Sequence, residues 1–224
     1  MALIPCSDIS PADWIATSTR PWEALASFGP HGFPEHARLR FLPDPAYPGQ
    51  SEGDAETAED APTETDLLRT ALTTLASHTA TPDECYFALW EGWGSELFGG
   101  DGAWFVDGET HAVTKGPQSA PAFPISVMNH PKVEIPNRSY YLFRGSIQDF
   151  GNWGAAELWP GQPRFSMPNP AFIWPADHAW CIANDVDPHW AGIAARAKAI
   201  EQLLTTPSLD LVRTDPGEEH PYYR

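Results

Sequence analysis

Short apolar runs of strand length follow one another between residues 85 and 185, without helical patterns between them. CYFALW (85–90) and SYYLFRG (139–145) are apolar on both faces, which is typical of interior strands. Because parallel strands need crossover helices, this order predicts an α+β fold, mainly an antiparallel sheet with flanking helices. Further strand candidates are ARLRFL (37–42), AWFV (103–106), KVEI (132–135), AFIW (171–174), AWCIAND (179–185) and LDLV (209–212).

The core of such a sheet has to be built largely from aromatic rings. The chain has 10 Trp, 6 Tyr and 11 Phe among its 224 residues, and aromatic side chains bury more area each than aliphatic ones. This content outweighs the disorder signal that few aliphatic residues and a high net charge would otherwise give. The length suits one domain of ordinary size or two small ones.

Helix signals lie on both sides of the strand region. Ser10-Pro11 begins a short helix over 11–17, and Pro21 begins a second helix that Gly29 ends. Thr63 and Asp66 resemble a capping box, and the leucine stripe after them predicts a third helix that reaches about residue 78.

The clearest helical pattern follows Asp187-Pro188, a typical helix start. Since apolar residues then recur at spacings of three and four, we expect one continuous helix over this segment. The residues of this stripe are Trp190, Ile193, Ala197, Ile200 and Leu204.

Acidic residues are concentrated in one short stretch. With 13 Lys+Arg against 30 Asp+Glu, the net charge is −17, which excludes a basic nucleic-acid binder and suits a basic protein partner. The stretch 44–66 is also rich in Pro, Gly, Ser and Thr, a composition typical of flexible linkers. It has no base, and its acids are Asp44, Glu52, Asp54, Glu56, Glu59, Asp60, Glu64 and Asp66.

These patterns predict four parts of the chain. Residues 1–43 form a helical and extended segment that packs on the main domain, and residues 44–62 form an acidic, flexible linker. Residues 63–214 form the α+β main domain, and residues 215–224 form a frayed acidic tail.

Cysteine usage and hydropathy predict a cytoplasmic protein without a membrane partner. Cys6, Cys85 and Cys181 are odd in number and far apart, which indicates reduced thiols rather than a disulfide framework. The first residues lack a secretory signal pattern, and no apolar run approaches the ~20 residues of a membrane helix.

Glu91 directly follows one predicted interior strand, and Arg144 ends the apolar run of the other. If the two strands are neighbours, these side chains could form a pair at one end of the sheet. Two interpretations stay open at this point: an ion pair that serves the fold, or a pair that contacts a ligand.

The segment WPADHAWCIANDVDPHW (174–190) is the densest polar and aromatic cluster. Its His178, Cys181, Asp185, Asp187 and His189 are metal-ligand types, but their spacing does not match a closed zinc site. Structural roles are therefore favoured, and we predict neither a metal nor a cofactor.

A ligand-binding face is expected on the loops that follow Leu89, Phe143 and Trp174. Exposed tryptophans in loops favour contact with a partner, although packing on the domain is the alternative. The predicted ligand-binding residues are Glu91, Trp93, Trp104, Arg144, Asp177 and His178.

The C-terminal half resembles a family of uncharacterised proteins from high-GC bacteria. The matching text is YYLFRG (140–145) and WPADHAWCIANDVDPHWAG (174–192), with CYFALWEGWG (85–94) as an upstream motif. The family has no assigned reaction, so the resemblance implies no activity for this chain.

Two classes of function stay open. The leading hypothesis is a non-catalytic protein that binds a basic protein or a small polar ligand. One concrete form of this hypothesis is an immunity-like or antitoxin-like protein. The alternative is a hydrolase that cleaves a glycan-like substrate through loop carboxylates, with Glu91 and Arg144 as the active residues. No nucleophile elbow, phosphate-binding loop, dinucleotide fingerprint or zinc-protease motif is present.

Overall fold

The computed structural model of the chain describes residues 1–58, 60–99, 121–153 and 167–224, together with the backbone of four short strands between them. The strands, in chain order, are β1 (Ile4–Pro5), β2 (Glu35–Arg40), β3 (Cys85–Trp90), β4 (Trp104–Val106), β5 (Val113–Lys115), β6 (Val133–Ile135), β7 (Arg138–Gly145), β8 (Glu157–Trp159), β9 (Gln162–Pro163), β10 (Phe172–Pro175), β11 (Trp180–Ala183), β12 (Trp190–Ala195) and β13 (Leu211–Thr214).

Nine of these strands form one sheet in the order β1-β7-β3-β10-β11-β12-β2-β13, and β6 also pairs with β7. Every strand pair of this sheet within the described residues is antiparallel. Two separate antiparallel pairs, β4–β5 and β8–β9, lie outside it. The prediction of a mainly antiparallel sheet is therefore confirmed.

The two ends of the sheet can be named after the first and last residues of β3, an interior strand. Cys85 lies opposite Gly145 of β7 and Pro175 of β10, whereas Trp90 lies opposite Tyr140 of β7. We call these ends the Cys85 end and the Trp90 end. Because the pairing is antiparallel, the chain leaves β3 and β11 and enters β10 and β12 at the Trp90 end.

Buried residues form one cluster on each face of the sheet. Neighbouring residues of a strand point to opposite faces, so Phe87 belongs to one cluster and Tyr86 to the other. Leu72 and Ile200 join the first cluster, and Leu25 joins the second. The helices are α1 (Asp13–Ala16), α2 (Trp22–Phe28), α3 (Glu64–Leu75), α4 (Ser95–Phe98), α5 (Ile125–Met128) and α6 (Ala197–Leu204).

The helix α3 begins where its sequence predicts. Thr63 accepts a hydrogen bond from the backbone N–H of Asp66, and the Asp66 carboxylate accepts one from the backbone N–H of Thr63. This reciprocal pair is a capping box, which satisfies backbone donors that a helix start leaves free. None of the described helices has the length and the continuous apolar character required to cross a membrane.

The prediction of one helix after Asp187-Pro188 is wrong for its first half. Trp190–Ala195 is the strand β12, and only Ala197–Leu204 is helical. All six residues of β12 are buried, because β11 and β2 flank the strand and a buried cluster covers each face of the sheet. The alanine and glycine residues of this segment are small enough to be buried on either face of the sheet. The spacing of Trp190 and Ile193 therefore could not distinguish a helix from a strand that is buried on both faces.

Close packing of α2 explains the glycine in β12. A Cβ atom on Gly192 would collide with the backbone carbonyl oxygen of Ser27 and lie 2.8 Å from the Phe28 ring. Only glycine lets the helix approach the strand this closely.

Both chain termini and the acidic stretch contact the sheet. β2, within the predicted N-terminal segment, lies between β12 and β13. In the acidic stretch, the Asp44 carboxylate accepts a hydrogen bond from the Arg38 side chain of β2 at 2.7 Å. In the predicted tail, the Tyr223 hydroxyl donates to the carbonyl oxygen of Pro43 at 2.6 Å. The division of the chain into four parts stays a prediction.

Candidate functional site

Glu91 and Arg144 lie at opposite ends of the sheet, so the prediction that they pair is wrong. β3 and β7 are neighbours, as that prediction required, but Arg144 lies opposite Tyr86 and Tyr140 lies opposite Trp90. In an antiparallel pair, the C-terminal ends of the two strands lie at opposite ends of the sheet, a full strand length apart.

Glu91 forms an ion pair with another residue of the Trp90 end, Lys132. This contact raises the pKa of Lys132, because the Glu91 carboxylate accepts a hydrogen bond from its ammonium group. The Lys132 ammonium also lies 5.2 Å from the centre of the Tyr141 ring. Glu91 is therefore held in place by a local partner.

Arg144 is exposed at the Cys85 end and has no ion-pair partner among the described residues. It lines a cavity of about 700 Å³ that also holds Asp83, Glu84 and Asp149. Asp149 already forms an ion pair with the amino group of Met1.

Asp177 and His178 lie together in the turn between β10 and β11, also at the Cys85 end. The Asp177 carboxylate accepts hydrogen bonds at 2.7 Å from the Thr79 hydroxyl and from the backbone of Ala80. These donors lower the pKa of Asp177, although partial burial opposes them. His178 has a φ of 52° and stacks on Trp14 with ring centres 4.2 Å apart.

Trp93 lies at the Trp90 end, where it packs edge-on against Trp90 with ring centres 5.9 Å apart. It lines a cavity of about 250 Å³ together with Phe41. The side chain of Trp104, another predicted binding residue, lies outside the described residues. The structure thus separates Glu91 and Trp93 at one end from Arg144, Asp177 and His178 at the other.

The polar wall of the Trp93 cavity consists of two carboxylates and two amides. Glu64 is the first residue of α3, Asn184 and Asp185 directly follow β11, and Asn169 precedes β10. Glu64, Trp93, Asn169, Asn184 and Asp185 are called the Trp93 pocket below.

The two carboxylates differ in their surroundings. Partial burial and the negative charge of Glu52 raise the pKa of Glu64, although a hydrogen bond from Asn169 opposes this. Asp185 accepts a hydrogen bond from its neighbour Val186 at 3.0 Å and a longer one from Arg138 at 3.4 Å. Arg138 also lies 4.8 Å from the centre of the Trp90 ring.

The chemistry of the Trp93 pocket suits a cation. No basic side chain is among its described lining residues, and Glu64 has no cationic partner there. Carboxylates accept charged hydrogen bonds from guanidinium and ammonium groups, and a tryptophan face attracts such groups as well.

No protein-family model, curated protein or solved structure matches this chain. The resemblance to a family of high-GC bacteria therefore stays a prediction.

The predicted metal-ligand types of residues 174–190 do not come together. His178 lies at the Cys85 end, whereas Asp185 and His189 lie at the Trp90 end. No group of three or more potential metal ligands occurs within the part of the chain that the structure describes.

Sequence reasoning assigned no binding role to Glu64, Asn169, Asn184 or Asp185. Glu64 belonged to the predicted helix start, and Asp185 was considered only as a metal ligand. Asn184 and Asp185 directly follow an apolar strand, and polar residues at such a position are the sequence signal that could have marked them as binding residues. Their convergence with Glu64 depends on the long-range packing of α3 on the sheet.

Proposed function

We propose that this chain is a non-catalytic binding protein and that the Trp93 pocket receives one basic side chain of a protein partner. The observation that carries this proposal is the Glu64 carboxylate, which shares the pocket with the Trp93 ring and has no cationic partner among the described residues. The second carboxylate of the pocket, Asp185, already forms an ion pair with Arg138. An immunity-like or antitoxin-like protein that blocks a basic toxin is the functional class with this requirement.

The size of the pocket favours a side chain over a free small molecule. Its volume is about 250 Å³, below the roughly 300–1,000 Å³ of typical small-molecule sites. A lysine or arginine side chain fills such a space while the rest of the partner stays on the surface. A buried arginine is also a frequent anchor of protein interfaces.

The raised pKa of Glu64 supports a cationic occupant. Partial desolvation by neighbouring atoms and the negative charge of Glu52 raise the pKa of Glu64, although the side chain stays exposed. An incoming positive charge would therefore favour its ionised form. The carboxylate then gains a charge-assisted hydrogen bond that it lacks in the free protein.

The acidic stretch supports a partner of opposite charge. Glu52 acts on both Glu64 and His189, which places part of the stretch next to the pocket. A surface of one charge sign raises the association rate of an oppositely charged partner. The proposal also requires the predicted helices at the flanks of the sheet, because the helix α3 supplies Glu64 to the pocket.

No comparable observation among the described residues favours the glycan-hydrolase alternative. Glu91, its foremost carboxylate, is bound by Lys132 and does not line the Trp93 pocket.

A basic probe tests the pocket directly. We expect a tetra-arginine peptide to bind the wild-type chain, and we expect Glu64→Gln to weaken the affinity about tenfold, since a charged hydrogen bond contributes roughly 1.5–3 kcal/mol. The readout is isothermal titration calorimetry at low salt.

The matched control is Glu56→Gln, which removes the same charge from the acidic stretch outside the pocket. We expect it to change the affinity less than about twofold, because Glu56 does not line the pocket and an exposed charge outside it contributes little. Equal weakening by both substitutions would show that the peptide binds the acidic surface without using the pocket.

A further inference from the structure

A cavity of about 920 Å³ lies at the Cys85 end and is separate from the Trp93 pocket. Its walls come from the segment before β2, the turn that follows α3, the turn between β10 and β11, and the beginning of α6. A volume of this size is typical of a small-molecule site.

Basic side chains gather around this cavity although the protein as a whole is strongly acidic. Arg196 and Lys198, at the beginning of α6, line it together with His78 and His178. Neither Arg196 nor Lys198 has an ion-pair partner among the described residues. Two of the 13 Lys+Arg of the chain thus line one cavity without an ion-pair partner among the described residues.

The only carboxylate among the described lining residues is already satisfied by other donors. Asp177 accepts hydrogen bonds from the Thr79 hydroxyl, from the backbone of Ala80 and from the backbone of Ala179 at 3.1 Å. Its lone pairs are occupied by these neutral donors, it forms no ion pair with Arg196 or Lys198 among the described residues, and it holds the turn that presents His178.

His178 is presented to the cavity at a conformational cost. Its φ of 52° lies in the left-handed region, which non-glycine residues adopt rarely. The imidazole is fixed by stacking on Trp14 with an interplanar angle of 14°. Such strained residues occur often at binding sites, where the surrounding structure holds them.

We propose that this cavity binds a small oxyanion of the phosphate class, held by Arg196 and Lys198 with His178 as a further polar contact. Arginine matches the geometry of phosphate oxygens, and lysine supplies a point charge. Phe33 and Pro34 form an apolar wall of the same cavity, which gives room for the organic part of a phosphate monoester.

The net charge of −17 does not prevent such binding. At about 0.1 M salt, charges farther away than about 10 Å are largely screened. The local pair of cations then determines whether an anion stays in the cavity.

The test uses inorganic phosphate and phenyl phosphate as probes of the full chain, titrated by calorimetry at neutral pH against a chloride background. We expect one site, and we expect the double variant Arg196→Gln/Lys198→Gln to weaken it about tenfold or more. Both side chains are exposed, so the variant should fold normally, which circular dichroism checks.

The control double variant, Arg69→Gln/Arg224→Gln, removes two positive charges outside the cavity and should change the affinity less than about twofold. Tighter binding of phenyl phosphate indicates an organic monoester as ligand, whereas equal binding indicates the free ion, and either supports the proposal. Failure of both probes to bind, or equal losses in the two double variants, overturns it. The Trp93 pocket takes no part in this result.

Discussion

At the scale of single residues, a buried ion network at the Trp90 end organises the chain around Asp44. The Asp44 carboxylate accepts hydrogen bonds from Arg38 at 2.7 and 3.1 Å and from Arg40 at 3.0 Å, and it lies 3.2 Å from His189. Arg38 and His189 are only 7% and 6% exposed. Since a buried arginine is costly without a carboxylate partner, Asp44 stabilises the fold although it belongs to the acidic stretch.

Replacing Asp44 with Asn should lower the free energy of unfolding by about 2 kcal/mol at neutral pH, because Arg38 loses its charged partner. Burial alone would raise the pKa of Asp44, but hydrogen bonds from Arg38 and His189 hold it below the ordinary value of 3.8. A carboxyl with a lowered folded-state pKa stabilises above its unfolded pKa, and this contribution is lost as the pH falls below about 3.8.

Urea denaturation at several pH values measures this effect. The wild-type chain should lose more stability than Asp44→Asn as the pH falls from about 5 to about 3. The control is Asp54→Asn in the same stretch, which should match the wild type. If Asp44→Asn and Asp54→Asn gave the same stability at every pH, the ion network would have no stabilising role.

Gly192 is the second residue whose identity the packing determines. Gly192→Ala should destabilise the chain by about 1–3 kcal/mol, because the added methyl group meets the backbone of α2 at Ser27. The control is Gly53→Ala, where a Cβ atom meets nothing within 4 Å. Denaturant melts of both variants measure the difference, and equal stabilities would contradict the close approach of α2 to β12.

At the scale of elements, local sequence signals and local structure agree well. The capping box at Thr63 and Asp66 places the start of α3, and its buried Leu68, Leu72 and Leu75 confirm the predicted stripe. The two interior strands β3 and β7 lie where their two-faced apolar runs predict.

Thr63→Ala should lower the free energy of unfolding by about 1 kcal/mol, the usual effect of losing an N-cap side chain. Thr73→Ala is the matched control within the same helix. Thr73 donates its hydroxyl to the carbonyl oxygen of Arg69, and alanine is the better helix former, so this variant should be neutral or slightly stabilised. A loss of stability in Thr73→Ala as large as in Thr63→Ala would contradict the capping role.

The parts that sequence could not predict depend on contacts between distant segments. Trp190 and Ile193 fit a helical spacing, yet β11 and β2 provide backbone partners that make this segment a strand. Glu91 and Arg144 each mark the end of a strand, but only the register of β3 with β7 shows that these ends are opposite. The Trp93 pocket likewise forms only when α3 brings Glu64 beside Asp185.

At the scale of the whole molecule, the last residues of the chain connect the sheet to the acidic stretch. The backbone of Arg224 donates to the carbonyl oxygen of Gln50 at 2.9 Å, and Tyr223 donates to Pro43. The His220 ring packs on Trp190 with centres 5.5 Å apart. The segment 215–224 therefore holds the acidic stretch next to the Trp93 pocket.

Removing residues 220–224 should loosen the acidic stretch while the sheet stays folded. We expect amide hydrogen exchange to become about tenfold faster at Gln50 and Asp54, since local opening there would cost less. The amides of α3 serve as an internal control and should exchange at the wild-type rate. Unchanged exchange at Gln50 and Asp54 would show that the acidic stretch is held without the C-terminal residues.

The central claim is that the Trp93 pocket receives a basic side chain, and a crystal structure of the full chain with a tetra-arginine peptide tests it most directly. We predict one guanidinium group within hydrogen-bond distance of Glu64 and Asp185 and in contact with the Trp93 ring. A peptide bound only along residues 44–58, with the pocket unoccupied, would contradict the claim.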